Sequence, residues 1–125
     1  MIILANEQVK RLHEKLLKAT GGLAGVRDGA MLDSALSVAF QTFGGVELYP
    51  STMAKIARTV YGLVNNHPFI DGNKRIGAYI MMVLLELNNL KVSFSDDDVI
   101  AIGLELANGK MSDKELLSLI LERSK

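Results

Sequence analysis

Nine consecutive residues, His67-Pro68-Phe69-Ile70-Asp71-Gly72-Asn73-Lys74-Arg75, put an imidazole, a carboxylate, turn formers and two cations directly before a long apolar run. An imidazole, with an ordinary pKa near neutrality, can take the proton of an attacking hydroxyl. A carboxylate such as Asp71 suits Mg2+, which uses one or two protein carboxylates and completes its shell with phosphate oxygens and water. Lys74 and Arg75 could neutralise the charge that builds up in phosphoryl transfer, and the amides of Gly72, Asn73 and Lys74 could cradle a phosphate. The candidate catalytic residues are therefore His67, Asp71, Lys74 and Arg75. The phosphate-binding candidates are Gly72, Asn73, Lys74 and Arg75, and Asp71 is the candidate metal ligand. Singly, each has an ordinary explanation as a loop histidine, an Asp-Gly turn or a solvated cation pair. Their order and crowding point to chemistry. If a helix begins here, its first turn carries unpaired N–H groups and partial positive charge, so two cations there cost stability that a bound anion would offset.

A rigid scaffold must hold such a stretch, and the apolar spacing is helical nearly throughout. Asn6 is expected to cap a first helix carrying Val9, Leu12, Leu16 and Leu17, stopped by Gly21-Gly22. Asp28 opens a second, with Leu32, Ala35, Leu36, Ala39, Phe40 and Phe43 at three- and four-residue steps and Gly44-Gly45 at its end. Ser51 caps a third, carrying Met53, Ile56, Ala57, Val60, Leu63 and Val64 and closed by Asn65-Asn66 before Pro68. The fourth, from Gly72 to Asn88, is apolar all round and is expected at the centre of the bundle. Ser95…Asp98 and Ser112…Glu115 read as capping boxes for a fifth and a sixth helix. Ile2-Ile3-Leu4 and Lys91-Val92-Ser93-Phe94 could form one short β pairing. The expected fold is all-α: a compact bundle of about six helices around a buried central helix, one domain over residues 1–125.

With 125 residues, 49% of them hydrophobic, the chain can bury a core of its own. Acidic and basic residues balance at 14 each, which argues against strong unassisted attraction to nucleic acid or an anionic membrane. Phosphate chemistry has to be local. The absence of cysteine excludes disulfides, zinc–thiolate sites and a thiol nucleophile. The N-terminus lacks a basic signal-type region, and the longest uncharged apolar run, Ile76 to Leu85, is too short to span a bilayer. No membrane association and a cytoplasmic location are expected.

The motif at 67–75 resembles the signature of the Fic/Doc family, and within it the Doc (death-on-curing) branch. The likeness extends to Leu12-His13, Gly21-Gly22-Leu23-Ala24-Gly25-Val26-Arg27-Asp28, Leu32-Asp33-Ser34-Ala35-Leu36 and Phe43-Gly44-Gly45-Val46-Glu47-Leu48-Tyr49-Pro50. It runs over residues 1–110 or so. Fic AMP-transferases usually carry Gly where this chain has Lys74 and a second Arg where it has Ala78. Lys74 and Ala78 are the Doc pattern.

The resemblance implies a Doc-like toxin of a toxin–antitoxin module. Such a protein is a kinase that moves the γ-phosphate of ATP, with Mg2+, onto a threonine of translation elongation factor Tu, inhibiting translation. In that role His67 would activate the hydroxyl and Asp71 would bind Mg2+. Gly72 and Asn73 would position phosphates, Lys74 and Arg75 would stabilise their charge, and Phe69 would anchor the loop in the core. The implied partner is a small Phd-like antitoxin whose C-terminal segment folds into an apolar groove, with operator DNA reached only through that antitoxin. Asn65-Asn66 and Ala19-Thr20 stand where well-known Doc proteins carry basic residues. Two alternatives stay open: a Fic-type protein AMP-transferase, and a non-catalytic interaction module with the same fold.

Overall fold

The computed structural model describes residues 1–125. In chain order the helices are α1 (Asn6–Thr20), α2 (Gly29–Ser37), α3 (Thr52–Asn65), α4 (Asn73–Leu87), α5 (Asp96–Ala107) and α6 (Asp113–Arg123). A single 3-10 turn, Val38–Phe40, and a hairpin of β1 (Thr42–Phe43) and β2 (Val46–Glu47) lie between α2 and α3. The chain is thus an all-α bundle of six helices. No helix is long and apolar enough to cross a membrane.

Local capping chemistry fixes most of the boundaries. The side chains of Asp28, Ser51, Ser95 and Ser112 each accept a hydrogen bond from the backbone amide three residues on. Asp98 and Glu115 return the bond, completing the two expected capping boxes. α1 starts differently. Ala5 is its N-cap, the Gln8 side chain accepts the Ala5 amide at 2.8 Å, and Asn6 lies inside the helix. The Asn6 side chain instead donates to Asp33 Oδ1 at 2.9 Å, tying α1 to α2.

The β pairing is not where the sequence placed it. Phe43 pairs with Val46 and Thr42 with Glu47, around Gly44 and Gly45 at φ +59° and +81°. Two successive positive φ values make a hairpin turn that residues with a Cβ adopt reluctantly. Gly44-Gly45 therefore turn a hairpin instead of ending α2, which stops at Ser37. Ile2 is held by the Asn88 side chain, which accepts its N–H at 2.7 Å and donates to its carbonyl at 3.0 Å. The Lys91–Ser93 stretch pairs with the end of the chain: Ser93 N–H donates to Arg123 O and Lys125 N–H to Lys91 O.

One hydrophobic cluster draws on all of α1 to α6. The most buried helix is α3, with nine of its 14 residues buried against seven of 15 in α4. Polar letters conceal this in the sequence. Thr59 hides its hydroxyl by donating to the Lys55 carbonyl at 2.9 Å. Buried Lys55 places its ammonium 3.0 Å from Glu47 and donates to the Tyr49 carbonyl, which offsets its desolvation.

Asp98 joins α5 to α6. It accepts the Ser95 amide at 2.9 Å and Arg123 Nη1 at 2.8 Å. These bonds, Ser95 first and Arg123 second, hold its carboxyl below the usual carboxylate range. A depressed folded pKa gives stability that is full above the unfolded pKa and is lost as the pH falls through the folded value. Asp98→Asn is therefore expected to unfold more easily at neutral pH, with the deficit shrinking below about pH 4. Urea melts across that range measure it.

Candidate functional site

The loop before α4 is stitched down from two sides. Pro68 and Phe69 are buried, and Phe69 is the core anchor its sequence context implied. Val26 forms an antiparallel bridge with Phe69. The amides of Arg27 and Asp28 both donate to the Pro68 carbonyl, at 2.8 and 3.1 Å, and Ile70 N–H donates to Gly25 O at 3.1 Å. From the other side, Asn73 Oδ1 accepts Phe69 N–H and its Nδ2 donates to Phe69 O, both at 3.0 Å. Both polar atoms of its side chain are committed to the loop, and its backbone amide, the group expected to face a phosphate, lies in the first turn of α4.

His67 is exposed and sits at φ +48°, a left-handed conformation that costs a non-glycine residue about 1–3 kcal/mol. Arg27 holds it there. Its Nε donates to the His67 carbonyl at 2.6 Å and its Nη2 to the Asn66 carbonyl at 3.0 Å. The imidazole makes no hydrogen bond within the protein, which leaves it available to an incoming hydroxyl.

Asp71 is oriented by backbone donors. Leu23 N–H reaches Oδ2 at 3.1 Å and Gly72 N–H reaches Oδ1 at 2.8 Å. Arg75 Nη2 lies 3.8 Å from Oδ1. The Leu23 bond, then the Gly72 bond, with smaller help from Arg75 and His13, hold the carboxyl below its ordinary pKa. Asp71 is an ionised, half-exposed carboxylate. No group of three His, Cys, Asp or Glu side chains is placed to hold a metal. A lone ionised carboxylate fits Mg2+ shared with phosphate oxygens and does not fit a closed protein cage.

Arg75 is not a free cation. Its Nη1 donates to Thr20 Oγ1 at 2.6 Å and to Gly21 O at 2.7 Å, at the electronegative C-terminal end of α1. Together with Asp71 at i−4, this offsets part of the cost of a cation in a first turn. Lys74 is exposed and forms no ion pair. Gly72, at φ +77°, starts α4 without a side-chain cap. The amides of Asn73, Lys74 and Arg75 consequently have no acceptor within the helix.

The Fic/DOC family model matches residues 3–85, about two thirds of the chain and every residue of this site. The chain belongs to the Fic/DOC family. It is also 36% identical over 81 residues to Toxin Doc of Mycolicibacterium smegmatis, a match covering 65% of this chain and 62% of that protein. The matched part thus spans less than two thirds of the length of that relative.

In this Fic/DOC chain the motif brings Asp71, Gly72, Lys74 and Arg75 to one helix start, with His67 at the far end of the same loop. Three further residues complete the site without having been assigned to it from sequence: His13, Gly22 and Arg27. Gly22, at φ +120°, is the closest wall. A Cβ there would lie 2.7 Å from Asp71 Oδ2 and 3.0 Å from Arg75 Nη2. The Gly21-Gly22 pair is also the stop of α1, with Gly21 as its C-cap.

Beside the site, α1, α4 and α5 frame a mainly apolar groove of about 740 Å3. Leu16, Tyr79, Met82 and Phe94 line it, with Lys74 and Arg75 among its polar residues. Ala78 lies in its wall, buried. The α5 side of this groove falls outside the family match.

Proposed function

We propose that this chain is a Doc-like toxin that transfers the γ-phosphate of ATP to a threonine hydroxyl of translation elongation factor Tu. The observation that carries the reading is the start of α4, where three amides without helical acceptors stand beside ionised Asp71 and unpaired Lys74. The likeness to Toxin Doc supports the toxin assignment. Buried Ala78, a methyl group where AMP-transferases carry a second Arg, favours γ-phosphoryl transfer over AMP transfer.

In this reading the phosphates lie over the first turn of α4, against the amides of Asn73, Lys74 and Arg75. Mg2+, held by Asp71, would supply charge neutralisation at the phosphate oxygens. His67 takes the threonine proton as the hydroxyl oxygen bonds to the γ-phosphorus. The bond from that phosphorus to the β–γ bridging oxygen breaks, and ADP leaves. Lys74 and Arg75 stabilise the charge spread over the transferred group. The apolar groove is the seat for the C-terminal segment of a Phd-like antitoxin. Ile100 and Leu104 on α5 are 61% and 44% exposed and would be covered by it. A segment seated there would reach Lys74 and Arg75 and so inhibit transfer. Operator DNA would be met only through that antitoxin, since this chain has no net positive charge to bring. Its site of action would be the cytoplasm, where translation runs.

The test is incubation with elongation factor Tu and Mg2+ plus ATP labelled at either the α or the γ phosphorus. Label on a threonine from the γ position alone is expected. Transfer from the α position alone would make the chain an AMP-transferase, and no transfer from either would favour an interaction module.

A further inference from the structure

His13 lies on α1, 58 residues before Asp71, with 1% of its surface exposed. Its ring stacks on Phe69, centroids 3.8 Å apart and planes 12° from parallel. Its Nε2 is 2.7 Å from the carbonyl oxygen of Asp71. A Cβ on Gly72 would sit 3.5 Å from the same nitrogen. One buried imidazole therefore contacts two residues of the motif, Phe69 and Asp71, and lies close beside a third, Gly72.

A carbonyl oxygen can only accept, so Nε2 carries the hydrogen; the neutral Nε2–H tautomer and the imidazolium both satisfy this. The peptide group joining Asp71 to Gly72 is planar, with its C=O and N–H pointing in opposite directions. Fixing the carbonyl against α1 therefore aims Gly72 N–H the other way. That N–H meets Asp71 Oδ1 at 2.8 Å and is one of the two backbone donors that orient the carboxylate. Packing on Phe69 alone would need only an apolar ring, whereas a buried imidazole is costly unless bonded.

We propose that His13 is a positioning residue of the active site: through the Asp71 carbonyl and the rigid Asp71–Gly72 peptide it sets the direction of the Asp71 carboxylate. Its consequence for Mg2+ rests on the reading of Asp71 as the metal ligand.

Two kinds of variant separate bonding from packing. His13→Phe keeps an aromatic face on Phe69 and removes the donor, with His13→Leu as a second donor-less form. His13→Gln restores an amide donor close to the position of Nε2. The readouts are hydrogen exchange at the Gly72 amide and the Mg2+ concentration that half-saturates ATP binding. In the donor-less variants Gly72 is expected to exchange about tenfold faster, with the buried amides of α3 unchanged. Half-saturating Mg2+ is expected to rise by about ten- to a hundredfold. His13→Gln is expected to recover most of both. Unchanged exchange at Gly72 in a folded donor-less variant overturns the proposal. So does faster exchange spread evenly into α3, which would make His13 a packing residue. Faster exchange at Gly72 with an unmoved Mg2+ requirement upholds the positioning of the carboxylate and removes Asp71 as the metal ligand.

Discussion

His67→Ala is expected to lower phosphoryl transfer by about 10²–10⁴-fold, the range typical for loss of a general base. The melting temperature is expected to stay almost where it is. The two halves of that expectation have separate causes. The imidazole is exposed and bonded to nothing in the protein, so its removal leaves no buried group unsatisfied. What fixes the loop is the backbone carbonyl of residue 67, which Arg27 still reaches in the alanine form. Single-turnover transfer to the protein substrate, a thermal melt and growth on expression check it together. A variant that still arrests growth would mean that toxicity comes from binding alone.

Gly22→Ala is expected to do more damage to activity than to folding. A Cβ at position 22 would lie 2.7 Å from Asp71 Oδ2, far inside van der Waals contact, so the carboxylate has to move. A shift of that kind in a reacting or metal-holding group costs about a hundredfold in rate. The left-handed backbone at φ +120° adds about 1–3 kcal/mol of strain. Gly109→Ala is the control. It also has a positive φ, +72°, but a Cβ there meets nothing within 4 Å. It is expected to lower stability with no effect on transfer. Comparing kcat/KM with urea midpoints for the two variants separates strain from displacement of the site.

What could be read from the chain was what is encoded locally. Asp28, Ser51, Ser95 and Ser112 cap helices because the atoms involved lie three residues apart. The hairpin was lost to a competing local signal. Ala39, Phe40 and Phe43 keep helical spacing, and only the paired positive φ values of Gly44 and Gly45 reveal a turn, which leaves Phe43 80% exposed. The prominence of α3 was masked by Lys55 and Thr59, polar residues buried by virtue of partners that the sequence does not display. The motif itself was legible for the same reason as the caps. The residues that orient it were not, because Arg27 and His13 act across 40 and 58 residues. The Asn73 side chain was silent in sequence although the residue it clamps, Phe69, is only four residues away.

The central claim is that the first turn of α4 and Asp71 together bind Mg2+ and nucleotide phosphates. Calorimetric titration of ATP into the protein, with and without Mg2+, tests it most directly, using Asp71→Asn and Lys74→Ala beside the native chain. Lys74 is exposed and unpaired, so its removal leaves the fold intact. Expected are tighter binding with Mg2+ in the native chain, loss of that gain in Asp71→Asn, and weaker binding in Lys74→Ala. Equal ATP affinity in all three proteins, with the same response to Mg2+, would contradict it.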